Sequence, residues 1–214
     1  MREAGISKPE RGHICAMRPF DARHAARYPV LIGCDEVGRG ALCGPVIVAA
    51  VHFDPALLPG DLLEALDDSK RLDAATRERL APRIMAEGRV ALAGASRDLI
   101  DRINVRAATL DAMRRAVARL GIAAEVAVDG RDVPPGLPLP CRAFIGGDRL
   151  VPQIAASSIV AKVARDRLMR ALARRHPAYA WERNVGYGTA AHRAAMASLG
   201  LTRHHRLSFK SKSL

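Results

Sequence analysis

Short apolar runs alternate along this chain with longer stretches of three-and-four spacing, the pattern of a sheet covered by helices. Val30, Leu31 and Ile32 open a strand expected over Val30–Asp35, and the Val- and Ala-rich run Pro45–Phe53 predicts a second. The short glycine-containing link between them suits antiparallel neighbours. Ala74–Glu87 carries Leu80 and Ile84 at helical spacing, and Arg89–Ser96 reads as a third strand. From Asn104 to Leu120 the apolar positions Val105, Ala108, Ala112, Met113, Ala116, Val117 and Leu120 share one face of an amphipathic helix, for which Gly121 is a natural stop. Glu125–Val128 is a short strand running into Asp129-Gly130, and the proline-rich VPPGLPLP loop leads to a last strand near Arg142–Ile145. A second long helix is expected over Pro152–Arg175, because proline suits a first helical position and Pro177 lies just beyond the end.

The pattern changes at both ends. Residues 1–28 carry Gly, Pro, Arg and His without a period and read as a poorly ordered basic extension. Residues 29–175 form the α/β core, a central sheet flanked by helices. Residues 176–214 are short of strand-like segments; they hold the turn Asn184-Val185-Gly186-Tyr187-Gly188-Thr189, a brief helix near Ala190–Leu199 and a basic end, a small helical appendage to the core.

Charge changes the picture more than composition does. With 34 Lys and Arg against 22 Asp and Glu in 214 residues, the formal net charge is +12, which points to a polyanionic partner, nucleic acid first among them. An Arg-rich codon usage would raise the charge in the same way. The cysteines Cys15, Cys34, Cys43 and Cys141 show no Cys-x-x-Cys spacing, which argues against zinc and fits reduced thiols in a cytoplasmic protein. No apolar stretch reaches the roughly 18 to 20 residues of a membrane span, and the N-terminus lacks the apolar core of a signal peptide.

The candidate chemistry is concentrated where the first strand ends. Asp35 and Glu36 place two negative charges on a strand that should be neutral unless a cation or a partner compensates them. Gly38 and Gly40 flank Arg39, so a ligand can approach main-chain groups there. An acidic pair beside a glycine-flanked arginine suits a metal held against a phosphodiester. Neighbouring strand residues face opposite sides unless the strand ends or bulges, so Asp35 and Glu36 need not act alike. Asp166, within the long helix and flanked by Arg165 and Arg167, reads as a structural ion-pair partner.

Taken in order, CDEVGRGALCGPV, DDSKRL, VAVDG, IGGDRLVPQIAASSIVAKVARDRLM, HPAYAW, GYGTAAH and HHRLSF resemble the ribonuclease HII family, from about Val30 to about Phe209. The departures are mild: Val37 and Ser157 stand where the family commonly has Ala. The resemblance implies a ribonuclease H-like fold, a mixed central sheet flanked by helices with a small C-terminal helical element. It implies an endoribonuclease that hydrolyses the phosphodiester 5′ to a ribonucleotide, in RNA–DNA hybrids and at single ribonucleotides in duplex DNA, leaving 3′-hydroxyl and 5′-phosphate ends. The four carboxylates would be Asp35, Glu36, Asp129 and Asp148, and such hard oxygen donors select Mg²⁺ or Mn²⁺ for a two-metal mechanism. Gly38, Arg39 and Gly40 would read the 2′-hydroxyl, and Tyr187 would pack on the deoxyribose that follows, unless it is simply a core tyrosine. Ser69, Lys70 and either Arg203 or Arg206 are candidate phosphate contacts; Lys162 could act likewise or could neutralise a nearby carboxylate. A monomer is expected. A non-catalytic binder on the same fold should have lost one or more of these carboxylates, and all are present.

Overall fold

The computed structural model describes residues 31–209; the basic extension expected over residues 1–28 lies outside them. A five-stranded mixed sheet forms the centre, built from β1 (Leu31–Val37), β2 (Val46–His52), β3 (Arg89–Ala95), β4 (Glu125–Asp129) and β5 (Cys141–Phe144) in the order β3-β2-β1-β4-β5. β1 and β2 are antiparallel, with Asp35 opposite Ala49 and Glu36 opposite Val48. β1 and β4 are parallel, in a register that pairs Ile32 with Val126 and Cys34 with Val128. β1 is thus paired on both sides, which is why Ile32 and Cys34 are fully buried.

Helices cover both faces. α2 (Ala74–Glu87) and α5 (Pro152–Ala173) pack on one, where Leu80, Ile84, Ile159 and Val160 meet Ala49 and Val51. α4 (Val105–Leu120) packs on the other through Ala108, Ala112, Met113, Ala116 and Val117, the residues its spacing picks out. Two short helices, α1 (Gly60–Ala65) and α3 (Arg97–Ile103), occupy stretches for which periodicity predicts no element. Six or seven residues are too few for a helical period to emerge. α3 does carry a local signal, since the Ser96 hydroxyl accepts the Leu99 N–H as a cap.

Close backbone contact sets the depth of the site. β1 lies so near the first turn of α5 that a Cβ on Gly33 would fall 2.1 Å from the Gln153 carbonyl carbon. Only glycine permits that approach. After α5 the chain forms a 3-10 turn (Pro177–Tyr179), then α6 (Trp181–Asn184) and α7 (Ala190–Leu199). Trp181 is fully buried against Tyr179, Met169 and Cys43, and a Cys43–His205 bridge stitches the end of the described chain to the loop after β1.

Candidate active site

The carboxylates gather where two parallel strands part. β1 keeps its pairing with β2 out to Val37–Ile47, whereas its pairing with β4 stops at Cys34–Val128. The carboxyl ends of β1 and β4 therefore open a gap, and Asp35, Glu36 and Asp129 are the residues at its lip, the usual position for a ligand in a parallel sheet. Side-chain alternation sends Asp35 toward α5 and Glu36 toward α4. At the end of the sheet both still border one cleft of about 460 Å³, together with Asp129, Gly38, Arg39, Gly40, Ser69, Lys70, Ser158, Lys162 and Tyr187. Asp148 stands beside this cleft, buried on a 3-10 turn (Gly147–Arg149). Gly147 N–H donates to Asp129 Oδ1 at 2.8 Å, so the two acidic segments are fixed to one another.

The charge is not balanced within the cleft. Burial, then Glu36 and Asp129, hold the Asp35 carboxyl well above the usual carboxylate range, although it accepts the Glu36 N–H at 2.7 Å. Burial also raises Glu36, against the pull of Arg39, whose guanidinium lies 3.2 Å away. Asp148 is pushed up to about 6 by burial and by Asp68 and Asp129. The Lys70 ammonium, opposed by its own burial, is held above its ordinary value by Asp68, Asp148, Asp35 and Asp129 together. Clustered oxygen donors carrying repulsion of this kind fit a hard divalent cation, which would relieve it. Among the described residues no three acidic, histidine or cysteine groups already converge as a finished coordination sphere; the donor chemistry and the excess charge are what fit.

Ser69 and Lys70 are placed by their neighbours. Asp68, itself buried, accepts the Lys70 N–H at 2.9 Å and pairs with Arg149 at 3.4 Å, which fixes the Lys70 backbone against Asp68. Ser69 shares a 2.8 Å hydroxyl bond with Ser158 of α5. Lys162 borders the cleft and also pairs with Asp166 at 2.8 Å. Asp166 is thus a structural ion-pair partner, as expected, and its partner is the lysine one helical turn before it rather than either arginine beside it. Adjacent helix residues diverge by about 100°, and Arg167 instead reaches Glu78.

Arg206 departs from its expected place as a phosphate contact. It is buried, and it donates to the carbonyls of Gly44 at 3.0 Å, Arg39 at 2.8 Å and Gly38 at 2.8 Å. Its donors are turned inward, where they hold the Gly38-Arg39-Gly40 turn. Arg203 is exposed. Tyr187 is half-buried, with one ring edge 4.0 Å from where a Cβ on Gly40 would stand. The loop carrying Tyr187 is tied to the turn by Leu42 N–H to Gly186 O at 2.8 Å.

Sequence reasoning missed a buried histidine relay behind Tyr187. Thr202 N–H donates to His205 Nδ1 at 2.9 Å, which leaves His205 Nε2 to donate to His192 Nε2 at 3.1 Å, and His192 Nδ1 to donate to the Tyr187 carbonyl at 2.9 Å. Trp181 Nε1 donates to the same His192 Nε2 at 3.0 Å. The HHRLSF block carried the signal, two adjacent histidines in an otherwise surface-like segment.

The chain matches the family model for ribonuclease HII over residues 32–212. It is 54% identical to a ribonuclease HII of Paramagnetospirillum magneticum over 84% of this chain and 90% of that one. It is 53% identical to one of Rhodospirillum rubrum over 83% and 82%. Among solved structures it is similar to the complex of PCNA with ribonuclease HII from Archaeoglobus fulgidus, at 25% identity and a TM-score of 0.72, covering 86% of this chain and 97% of that one. The fold is shared with ribonuclease H2 of Pyrococcus horikoshii, at a TM-score of 0.71 and 22% identity over 85% and 94%. The chain belongs to the ribonuclease HII family and is thereby a ribonuclease H, a nuclease of the hydrolase class.

Proposed function

We propose that this ribonuclease H cuts the phosphodiester 5′ to a ribonucleotide, in RNA–DNA hybrids and at single ribonucleotides embedded in duplex DNA, leaving 3′-hydroxyl and 5′-phosphate ends. The observation that carries the reading is the meeting, in one cleft, of Asp35, Glu36 and Asp129 with the Gly38-Arg39-Gly40 turn and Tyr187. Asp35, Glu36, Asp129 and Asp148 would hold Mg²⁺ or Mn²⁺, and two such cations would supply the activation of water and the stabilisation of the leaving 3′ oxygen. A solved ribonuclease HIII of the same fold is a complex with Mn²⁺.

The protein's own groups orient the strand. The Gly38-Arg39-Gly40 turn offers main-chain groups with no Cβ at either glycine, so a 2′-hydroxyl can be both donor and acceptor against backbone. Gly38 has a φ of 99°, a conformation that favours glycine. The Tyr187 ring, across the turn, supplies a flat apolar surface for the sugar that follows, which lacks the 2′-hydroxyl. Ser69 and Lys70 sit where they can meet the phosphate next to the acidic group, and Lys70 stays fully charged there. Base edges are not read, so cleavage is independent of sequence. The thiols of Cys34, Cys43 and Cys141 are free, which suits the reducing cytoplasm proposed as the enzyme's compartment; a monomer is proposed as its working state.

The test is cleavage of an end-labelled DNA duplex with one internal ribonucleotide beside an all-DNA duplex, with Mg²⁺, Mn²⁺ or chelator. The expected outcome is one metal-dependent cut, 5′ to the ribonucleotide, in the ribonucleotide-bearing strand only. Cutting of both duplexes would refute ribonucleotide recognition, and tight binding without cutting would refute catalysis.

A further inference from the structure

Behind the cleft lies a guanidinium that phosphodiester chemistry does not call for. Arg165 of α5 is fully buried, and its hydrogen bonds all go to main-chain carbonyls: Nε to Pro45 at 3.0 Å, Nη1 to Val185 at 2.8 Å, and Nη2 to Cys43 at 3.1 Å. Its Cζ stands 5.4 Å from the centroid of the Tyr187 ring. On the other side, a Cβ built on Gly38 would fall 2.1 Å from Arg165 Nε, so the guanidinium rests directly against the glycine Cα. One planar group therefore touches the turn through Gly38, the loop after it through Cys43 and Pro45, and the tyrosine loop through Val185 and the Tyr187 ring.

A buried cation is stable only if its donors are satisfied, and a lost partner leaves part of a charge unsolvated. Arg165 thus penalises any movement of these three segments relative to one another. A planar fork with five donors can hold three carbonyls at fixed angles and still stack on a ring; a lysine ammonium cannot do both. We propose that Arg165 is a positioning residue for substrate selection: it sets the distance between the Gly38-Arg39-Gly40 turn and Tyr187, so that the ribose and the sugar after it are read as one unit. This rests on the reading of the turn and of Tyr187 given above.

A merely structural role would lower stability and slow cleavage of every substrate alike. A positioning role would change the ratio between two substrates. The experiment measures kcat/KM for a DNA duplex with one ribonucleotide, which carries a ribose–deoxyribose junction, and for an all-ribonucleotide strand paired with DNA, which does not. Both substrates meet the same enzyme molecules, so the ratio is insensitive to the fraction folded and remains readable for a destabilised variant. The wild type, R165K, R165Q, Y187A and R165K/Y187A are compared. Expected are a preference for the junction in the wild type, a loss of roughly tenfold or more of that preference in Y187A, a similar loss in R165K and a larger one in R165Q. The double variant should show no loss beyond Y187A alone. If Y187A loses the preference while R165K and R165Q keep it, the inference is overturned and the reading of Tyr187 stands. If Y187A keeps the preference, that reading fails and the inference fails with it.

Discussion

At the residue scale, the acidic group and the turn beside it lead to separable predictions. Asp129 ends β4, borders the cleft and accepts Gly147 N–H through Oδ1. An amide oxygen can still accept that bond, so Asp129→Asn should fold and bind duplex while losing metal-dependent turnover by roughly a thousandfold or more, as removal of a charged transition-state partner does. A variant that binds and still turns over near the wild-type rate in a single-turnover assay would remove Asp129 from the metal set. Gly38→Ala should act through structure instead. At φ 99° a Cβ is strained, and it would collide with Arg165 Nε at 2.1 Å, so a loss of about 2 kcal/mol or more is expected in urea unfolding. The carboxylates were legible in the sequence because a charge at the end of an apolar strand is conspicuous. Arg165 and Arg206 were not, because nothing local distinguishes an arginine that serves distant carbonyls from one that faces solvent. Their partners lie 120 residues or more away, or on a loop that no period predicts.

At the element scale, β1, β2 and the long helices follow from periodicity, and their ends agree within two residues with what Gly and Pro punctuation predicts. The α3–α4 junction does not follow, because one residue serves both helices. Asn104 ends α3 and starts α4 at φ 70° and ψ 161°, with its side chain accepting Ala107 N–H at 3.0 Å. The cap stabilises α4, while the backbone conformation there is one that glycine adopts with least strain. Two substitutions separate these terms. Asn104→Ala loses the cap and keeps the strain, and should cost about 1 to 2 kcal/mol; Asn104→Gly loses the cap but relieves the strain, and should change stability by less than about 0.5 kcal/mol. Thermal melts that rank Gly below Ala would show that the junction is not strained in solution.

At the scale of the whole molecule, the C-terminal segment is docked through two buried histidines, His192 and His205, whose burial favours their neutral forms. His205 is 1% exposed, and His192, Trp181, Tyr179, His204 and Thr202 surround it. Burial, then the neighbouring His192, depress it to about 4. The unfolded chain binds its proton near the ordinary value of about 6.5, so between those limits the unfolded state carries the extra proton. Stability from this group is therefore complete above about pH 6.5 and is lost as pH falls toward 4, with a limiting slope of about 1.4 kcal/mol per pH unit and roughly 3 kcal/mol in all. Other groups titrate in this range. Asp148, pushed up to about 6, has the opposite sign and favours the folded state as pH falls. The informative quantity is accordingly a difference. His205→Asn cannot take up the proton, so its stability deficit relative to wild type should shrink by roughly 3 kcal/mol between pH 7 and pH 4, while Asp148 and the other common groups cancel. Urea unfolding of both proteins across that range measures it. A deficit that stays constant with pH would mean that His205 takes up its proton in the fold as readily as in the unfolded chain, and that the contacts with His192, Thr202 and Trp181 do not hold it neutral.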